Sequence, residues 1–450
     1  MLSSQCTQRN KALIPKLLDD HGALLDGQSA LVDLSTAENQ LLMDDIIART
    51  PEAVWALSYS DLGYSEGVGG STRVRTLIAD LANDHFHPRS KVEASHVVLG
   101  AGGCFALDAL VEQICDPGEG ILIAAPYWPG LDLSISVRKA AKTIPVQVPF
   151  DVFFDVESVK YYEEAIKSAS VPVRAVLICN PHNPLGRNYP IETLQAMLDF
   201  CASKSLHLIS DEVYALSQHT NSFAGVCADS GFVSALTLDT SNGGRGRVHV
   251  LYSLSKDFGC NGLRLVSRDE GPPGTLSSPG LIGNADVKSL LQGAFISQEN
   301  RAVCLSGALS TFCQTSSMAA LVAEKVILTK ENVHQVTTRG REQLTTVYRT
   351  VSEFLLRREV PFVPAECGVY VFANLCHSST VQAPGAEDAF RQLLKKHRVV
   401  LAAGTDYHLA RPGWFRICYG CHPERLAEGL ERIDRCISEF REGGETVVDY

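Results

Sequence analysis

Lys256 lies in the run Ser253-Leu254-Ser255-Lys256-Asp257-Phe258-Gly259-Cys260-Asn261-Gly262-Leu263-Arg264. A lysine amine condenses with an aldehyde to a Schiff base, which is one route to covalent catalysis. Ser253, Ser255 and Arg264 add two hydroxyls and a guanidinium, a set suited to a dianionic phosphate. A lone lysine is ordinarily a solvated surface charge, so the run gains meaning from the other polar residues in the chain.

Gly100-Ala101-Gly102-Gly103-Cys104 is a turn of small residues opening a helical pattern, where backbone amides can approach an anion and the helix dipole assists. Pro126-Tyr127-Trp128-Pro129-Gly130 offers an aromatic to cover a flat ring; either Tyr127 or Trp128 could do so, and Trp128 is preferred. In Asn180-Pro181-His182-Asn183-Pro184 the two prolines stiffen the backbone, so the Asn183 amide is presented rigidly to a ring oxygen. Asp211 can keep a pyridine nitrogen protonated and Tyr214 can share the ring oxygen, while Glu212 reads as a structural or surface charge. Arg416, inside the apolar run Trp414-Phe415-Arg416-Ile417, has the fork geometry for a substrate carboxylate. An aldehyde, a phosphate, a ring oxygen and a pyridine nitrogen together describe pyridoxal 5'-phosphate.

The elements that position these residues are legible as short apolar runs bounded by turns. Val97–Gly100, Gly120–Ala124, Ala175–Cys179 and Leu206–Ser210 have the continuous character of strands buried on both faces of a parallel sheet. Cys104–Gln113 and Ile191–Lys204 read as the intervening helices. The alternation predicts an α/β fold with ligand groups at the carboxyl ends of the strands. Asn242–Arg247 reads as a surface turn. The stretch 268–310 reads as an insertion, because its first half is rich in Gly, Pro and Ser. Residues 319–357 are helical in pattern, Glu366–Asn374 and Trp414–Tyr419 read as strands, and Ala386–His397 as a helix. The expected domains are an N-terminal segment 1–45 packing on the small domain, a large cofactor-binding domain 46–325, and a small α+β domain 326–450.

Composition narrows the partners. A chain of 450 residues exceeds a single ordinary core. A formal net charge of -11 argues against nucleic acid or an anionic membrane as principal partner. No run approaches the about 20 apolar residues of a membrane helix, and no signal-peptide core precedes residue 20. The 14 cysteines are scattered without a framework. The one close pair, Cys418-Tyr-Gly-Cys421, lacks the further ligands zinc requires, so no metal is expected. The expected compartment is the cytoplasm.

Together the motifs resemble the class I/II aminotransferases, fold-type I pyridoxal-phosphate enzymes. More narrowly, Leu34-Ser35-Thr36-Ala37-Glu38-Asn39-Gln40-Leu41, Pro126–Gly130, Ser253–Gly259 and Pro412–Arg416 are similar to the 1-aminocyclopropane-1-carboxylate (ACC) synthase branch. The resemblance implies a mixed, mostly parallel sheet sandwiched by helices, plus a smaller α+β domain. It implies Lys256 as Schiff-base lysine and as the base for the Cα proton, with Asp211 and Tyr214 assisting. It implies Ala101, Gly102, Gly103, Ser253, Ser255 and Arg264 around the phosphate, and Arg416, Ala37 and Asn183 at the substrate. It also implies a homodimer in which a tyrosine crosses to the neighbouring site, a role that falls on Tyr64 when Gly69 fixes the alignment and on Leu62 otherwise. Asn261 departs from the branch, which commonly has proline there. The expected activity is transamination of an α-amino acid. The alternative is a lyase: ACC synthesis from S-adenosylmethionine, or carbon–sulfur cleavage of a cysteine conjugate.

Overall fold

The computed structural model describes residues 31–55, 57–62, 68–220, 231–261, 293–377 and 385–445, together with residues 7, 10 and 11. Tyr64, Arg264 and residues 268–292 of the expected insertion lie outside the described residues. Strand β1 (Val32–Asp33) is followed by seven strands that form one sheet. These are β2 (Val97–Gly100), β3 (Gly120–Ala125), β4 (Lys142–Gln147), β5 (Val173–Cys179), β6 (His207–Asp211), β7 (Val248–Ser253) and β8 (Gly293–Ile296). Their spatial order is β2-β8-β7-β6-β5-β3-β4. β3 to β7 run parallel to one another, and β8 pairs antiparallel with both β2 and β7.

The sheet is buried on both faces because its strands are apolar at successive positions. Ile121, Ile123, Leu177, Ile209 and Leu251 pack on Leu110 and Ala106 of the helix Gly103–Ile114. Leu122, Val176, Leu208 and Val250 face the other way, toward Leu194 and Leu198 of the helix Ile191–Ser203 and Val74 and Ile78 of the helix Thr72–His85. The register levels the carboxyl ends of the strands: Asp211 lies opposite Cys179 on β5 and Leu251 on β7. The turns that carry Asn183, Asp211 and Lys256 therefore open on one edge.

The remaining strands are β9 (Phe362–Val363), β10 (Tyr370–Asn374), β11 (Val399–Val400), β12 (Ala402–Ala403) and β13 (Trp414–Cys418). β12-β13-β10-β9 form an antiparallel sheet, and β1 pairs with β11. Val371, Ala373, Phe415 and Ile417 of this sheet share a core with Val351 and Leu355 of the helix Arg341–Arg357, and with Leu426 and Ile433 of the helix Pro423–Glu445. Val32, Leu34 and Ala37 join the same core, whereas Leu42 belongs to the core of the large domain.

Two boundaries differ from the sequence reading. Residues 293–310 are not insertion: they form β8 and the helix Arg301–Ser310. Gly-Ala-Phe-Ile is too short to signal a strand beside a Gly/Pro/Ser-rich stretch. The core of the large domain also runs past residue 325 to Val333 and Val336, because the helical stretch after Ser317 packs on the helix Met43–Trp55. The small core begins at Leu344.

β8 brings two cradle elements together. Gly293 pairs with Gly100 on one side and Ser253 on the other. A Cβ on Gly293 would lie 2.2 Å from the Gly103 backbone nitrogen, so only glycine permits this approach. Gly293→Val is expected to destabilise the protein by about 1–3 kcal/mol through overpacking, seen as a lower thermal midpoint. It should also weaken pyridoxal phosphate binding, measured by titration; normal affinity in a destabilised variant would separate Gly293 from the cradle.

Candidate active site

At the carboxyl edge of the sheet a cleft is lined by Gly103, Trp128, Asn183, Asp211, Tyr214, Ser253, Ser255 and Lys256, with Cys104, Leu107, Leu131, Ser134, Cys179, Val213 and Leu251 completing its wall. Lys256 sits in the single turn Leu254–Asp257 that follows β7. Its Nζ donates to the Ala37 carbonyl at 2.9 Å. That turn is anchored by Asp257, whose carboxylate accepts from the Leu216 amide (3.0 Å), the Ser217 hydroxyl (2.6 Å) and the Tyr252 hydroxyl (3.0 Å). Asp257 thus ties the lysine turn to the loop carrying Tyr214, a role the sequence reading missed.

Asp211 ends β6 almost fully buried, with Oδ1 hydrogen-bonded to nothing among the described residues. Burial pushes its carboxyl up to about 6, against the opposing pull of the Val213 amide and the Lys256 charge. A buried acceptor without a donor is costly unless a ligand fills it, and a protonated ring nitrogen is the donor that fits. Ser253 Oγ donates to Ser255 Oγ at 3.0 Å, placing both hydroxyls side by side. Opposite them the helix Gly103–Ile114 begins behind Gly102, which has φ 100°. A Cβ on Gly103 would come within 3.9 Å of Ser253 Oγ, filling part of the cradle. Ala101 precedes this turn and does not line the cleft. The amides of a helix start facing two hydroxyls suit a phosphate. The residues present therefore fit pyridoxal phosphate.

Trp128, rather than Tyr127, faces the cleft. Tyr127 is turned away: its hydroxyl donates to Asp132 at 2.8 Å, and its ring stacks on His408. Gly130 fixes the Trp128 ring, since a Cβ there would lie 2.0 Å from it. Tyr214 is buried with its ring edge-on to Tyr370. Arg416 is 1% exposed and donates to Asn183 Oδ1 at 3.0 Å and to the Ser35 carbonyl. Its guanidinium lies 5.4 Å from the Tyr370 ring and 5.2 Å from the Tyr407 ring. The carboxylate-binding candidate and the ring-oxygen candidate, Arg416 and Asn183, are thereby one unit. Tyr370 and Tyr407 gave no local signal, because the small domain brings them to Arg416, and Ser35 stood out only within the Leu34–Leu41 motif, without a role.

Glu212 is the neighbour of Asp211 but points to the other face of the sheet. It is fully buried and accepts from Ser210 Oγ (2.9 Å), Ser234 Oγ (2.6 Å) and the Ala235 amide (2.7 Å), a structural clamp. Burial pushes its carboxyl up to about 8. The folded state therefore keeps a proton that the unfolded chain releases above its ordinary carboxylate value. This contribution is complete at low pH and is lost as pH rises through about 8. Glu212→Gln cannot ionise, so its thermal midpoint should fall less than that of the wild type between about pH 5 and about pH 8; parallel pH profiles would contradict this.

The chain is similar to known proteins along nearly its whole length. Residues 30–433 match the family model for aminotransferase class I and II. A probable aminotransferase of Claviceps purpurea is 56% identical over 100% of this chain and 98% of its own length. A probable aminotransferase of Leptosphaeria maculans is 36% identical over 98% of this chain and 99% of its own. An ACC synthase of Arabidopsis thaliana is 24% identical over 93% of this chain and 80% of its own. Among solved structures, an aromatic aminotransferase from Pyrococcus horikoshii superposes with a TM-score of 0.71 at 19% identity, covering 94% of this chain and 99% of that one. The protein belongs to the class I and II aminotransferase family, with the fold-type I architecture.

Proposed function

We propose that this protein is a pyridoxal-phosphate-dependent aminotransferase that takes the amino group from an α-amino acid. The observation that carries the reading is the buried Asp211 Oδ1, without a donor among the described residues, in the same cleft as Lys256, Ser253 and Ser255. Bound there, pyridoxal phosphate supplies an aldehyde to receive the amino group and a ring that withdraws electrons from the substrate Cα. Lys256 Nζ would hold the cofactor at its aldehyde carbon, and the same amine, once released, would move the substrate Cα proton. The Ala37 carbonyl receives the amine when it is not so engaged. Asp211 keeps a proton on the ring nitrogen, Asn183 and Tyr214 address the ring oxygen, and Trp128 covers the ring face. Gly102, Gly103, Ser253 and Ser255 hold the phosphate, with Ala101 shaping the turn and Arg264 adding positive charge. Arg416, set by Asn183 and by the segment bearing Ser35 and Ala37, takes the α-carboxylate.

The relatives named as aminotransferases match at up to 56% identity and the Arabidopsis ACC synthase at 24%, which favours transamination over the lyase chemistry of that branch. The cytoplasm suits the free cysteines of the described residues, which a reducing compartment keeps as thiols. Among the described residues no helix is long and apolar enough to cross a membrane. A homodimer is supported by large apolar side chains left exposed, Trp55, Tyr59, Leu305, Leu309 and Phe312.

Cofactor-loaded protein mixed with common L-amino acids, keto acid withheld, should yield one equivalent of keto acid per site and stop. Product that accumulates over many turnovers from S-adenosylmethionine or a cysteine conjugate would overturn transamination in favour of a lyase. Lys256→Ala should lose at least about a thousandfold in rate, and near-normal turnover would sink the role given to the lysine. Light scattering should report twice the chain mass of 48.8 kDa, falling toward a single chain in the double variant Leu309→Asp, Phe312→Asp. A monomeric wild-type protein would refute the dimer.

A further inference from the structure

The Tyr127 side of the Pro126–Gly130 loop is built into a contact for which the proposed chemistry has no use. Asp132, in the helix Gly130–Ser136, accepts at Oδ1 from Tyr127 (2.8 Å) and from the Thr143 hydroxyl (2.6 Å). Its Oδ2 is bonded to His408 Nε2 at 2.6 Å. The His408 ring also stacks on Tyr127, with centroids 4.5 Å apart and planes 22° from parallel. The main chain joins in: the Tyr127 amide donates to the Tyr407 carbonyl at 3.0 Å, and Gln147 Nε2 donates to the His408 carbonyl at 2.9 Å. Asp132 and His408 are 276 residues apart, one on the large domain and the other capping the C-terminal end of the small-domain turn Gly404–Tyr407.

That turn is rigidly part of the Arg416 strand. β12 pairs Ala402 with Arg416 and leads directly into Gly404. Arg391 pins Asp406 at 2.8 Å, and Thr405 is bonded to Glu387. Tyr407 lies against the Arg416 guanidinium, and on the other side of the contact Trp128 follows Tyr127 directly in the chain and lines the cleft. The contact therefore links the residue that covers the ring to the residue that flanks the carboxylate-binding arginine. His408 holds φ 64°, a left-handed conformation kept by the turn, which aims its ring back at Asp132.

We infer that His408 and Asp132 are positioning residues, a latch that sets the distance between the ring-covering loop and Arg416 and so makes recognition of the substrate α-carboxylate possible. Neither touches the reacting atoms; they act through Tyr127 and Trp128 on one side and Tyr407 on the other. The inference rests on the reading of Arg416 as the carboxylate ligand under the proposed function.

The test uses cofactor-loaded full-length protein and two probes read by the change in cofactor absorbance. One is an α-methyl amino acid, which lacks a Cα proton and cannot turn over; the other is the corresponding amine without a carboxylate. In His408→Asn, which tolerates the left-handed backbone but shortens the reach, and in Asp132→Asn, the half-saturating concentration of the α-methyl amino acid should rise about tenfold. That of the amine should change less than about twofold, and the double variant should be no worse than the weaker single one, as coupled residues require. Should either variant not fold, Gln147→Ala cuts the side-chain bond to the His408 carbonyl from the large domain and should shift the same ratio. Equal loss for both probes, no loss for either, or a wild-type protein that does not prefer the carboxylate-bearing probe would overturn the latch. Failure of the proposed transamination shows separately, as wild-type protein that yields no keto acid, and does not alter this ratio.

Discussion

The separation between Lys256 and Arg416 is fixed by one segment, residues 33–40, lying between the lysine turn and β13. Ser35 gives its carbonyl to Arg416 and Ala37 gives its carbonyl to Lys256. Glu38 accepts from Asn261 at 2.6 Å, and the Gln40 amide donates to the Gly420 carbonyl. Two glycines make room for the segment. A Cβ on Gly259, which holds φ 65°, would meet the Asn39 carbonyl at 2.1 Å, and one on Gly420 would meet the Glu38 carbonyl at 2.3 Å. Hydrogen bonds to charged groups stabilise by about 1.5–3 kcal/mol each, and leaving a buried cation without them costs more. The strap therefore satisfies both cations and gauges the space between them.

This constraint explains why the large and small domains meet where they do. β1, just before the strap, pairs with β11, and the strap's apolar residues Leu34 and Ala37 belong to the small-domain core. Leu42 and Ile46, just after it, belong to the large-domain core. The chain crosses from one core to the other over the cleft, so the polar face of the crossing is available to both cations. The contact of Asp132 with His408 joins the two domains a second time. Two crossings, far apart in the chain, leave the position of Arg416 relative to Lys256 little freedom.

Much of this was legible in the sequence. Buried parallel strands read as continuous apolar runs, and the residues proposed to carry the chemistry lie at or just after the ends of β5, β6 and β7, as the edge rule for open α/β sheets requires. Three parts were not. β4 contains Pro145 and exposed polar residues, marks of an edge strand that weaken any single-sequence assignment. β8 has four residues and owes its place to the Gly293 approach, a tertiary fit with no local periodicity. The strap's glycines and the pairing of His408 with Asp132 are relations between distant residues. Each partner looks ordinary alone: a glycine after the lysine turn, a histidine in a loop.

The same limit applies to the carboxylates, and the structure supplies what distinguishes them. Asp211, Glu212 and Asp257 are all buried and all raised by burial, to about 6, about 8 and about 6. A raised carboxyl in a cleft invites a functional reading, yet ion-pair and hydrogen-bond networks raise carboxyls too. Glu212 takes two hydroxyls and an amide, and so does Asp257. Both are saturated by the protein and act as clamps. Asp211 keeps Oδ1 without a donor among the described residues while facing the cleft. Unspent acceptor capacity in the cleft, rather than the size of the shift, separates the carboxylate proposed for a ligand from the two that hold the fold. An N–H⁺ placed there would reverse the effect of burial, because the charged form of Asp211 would then have the partner it lacks.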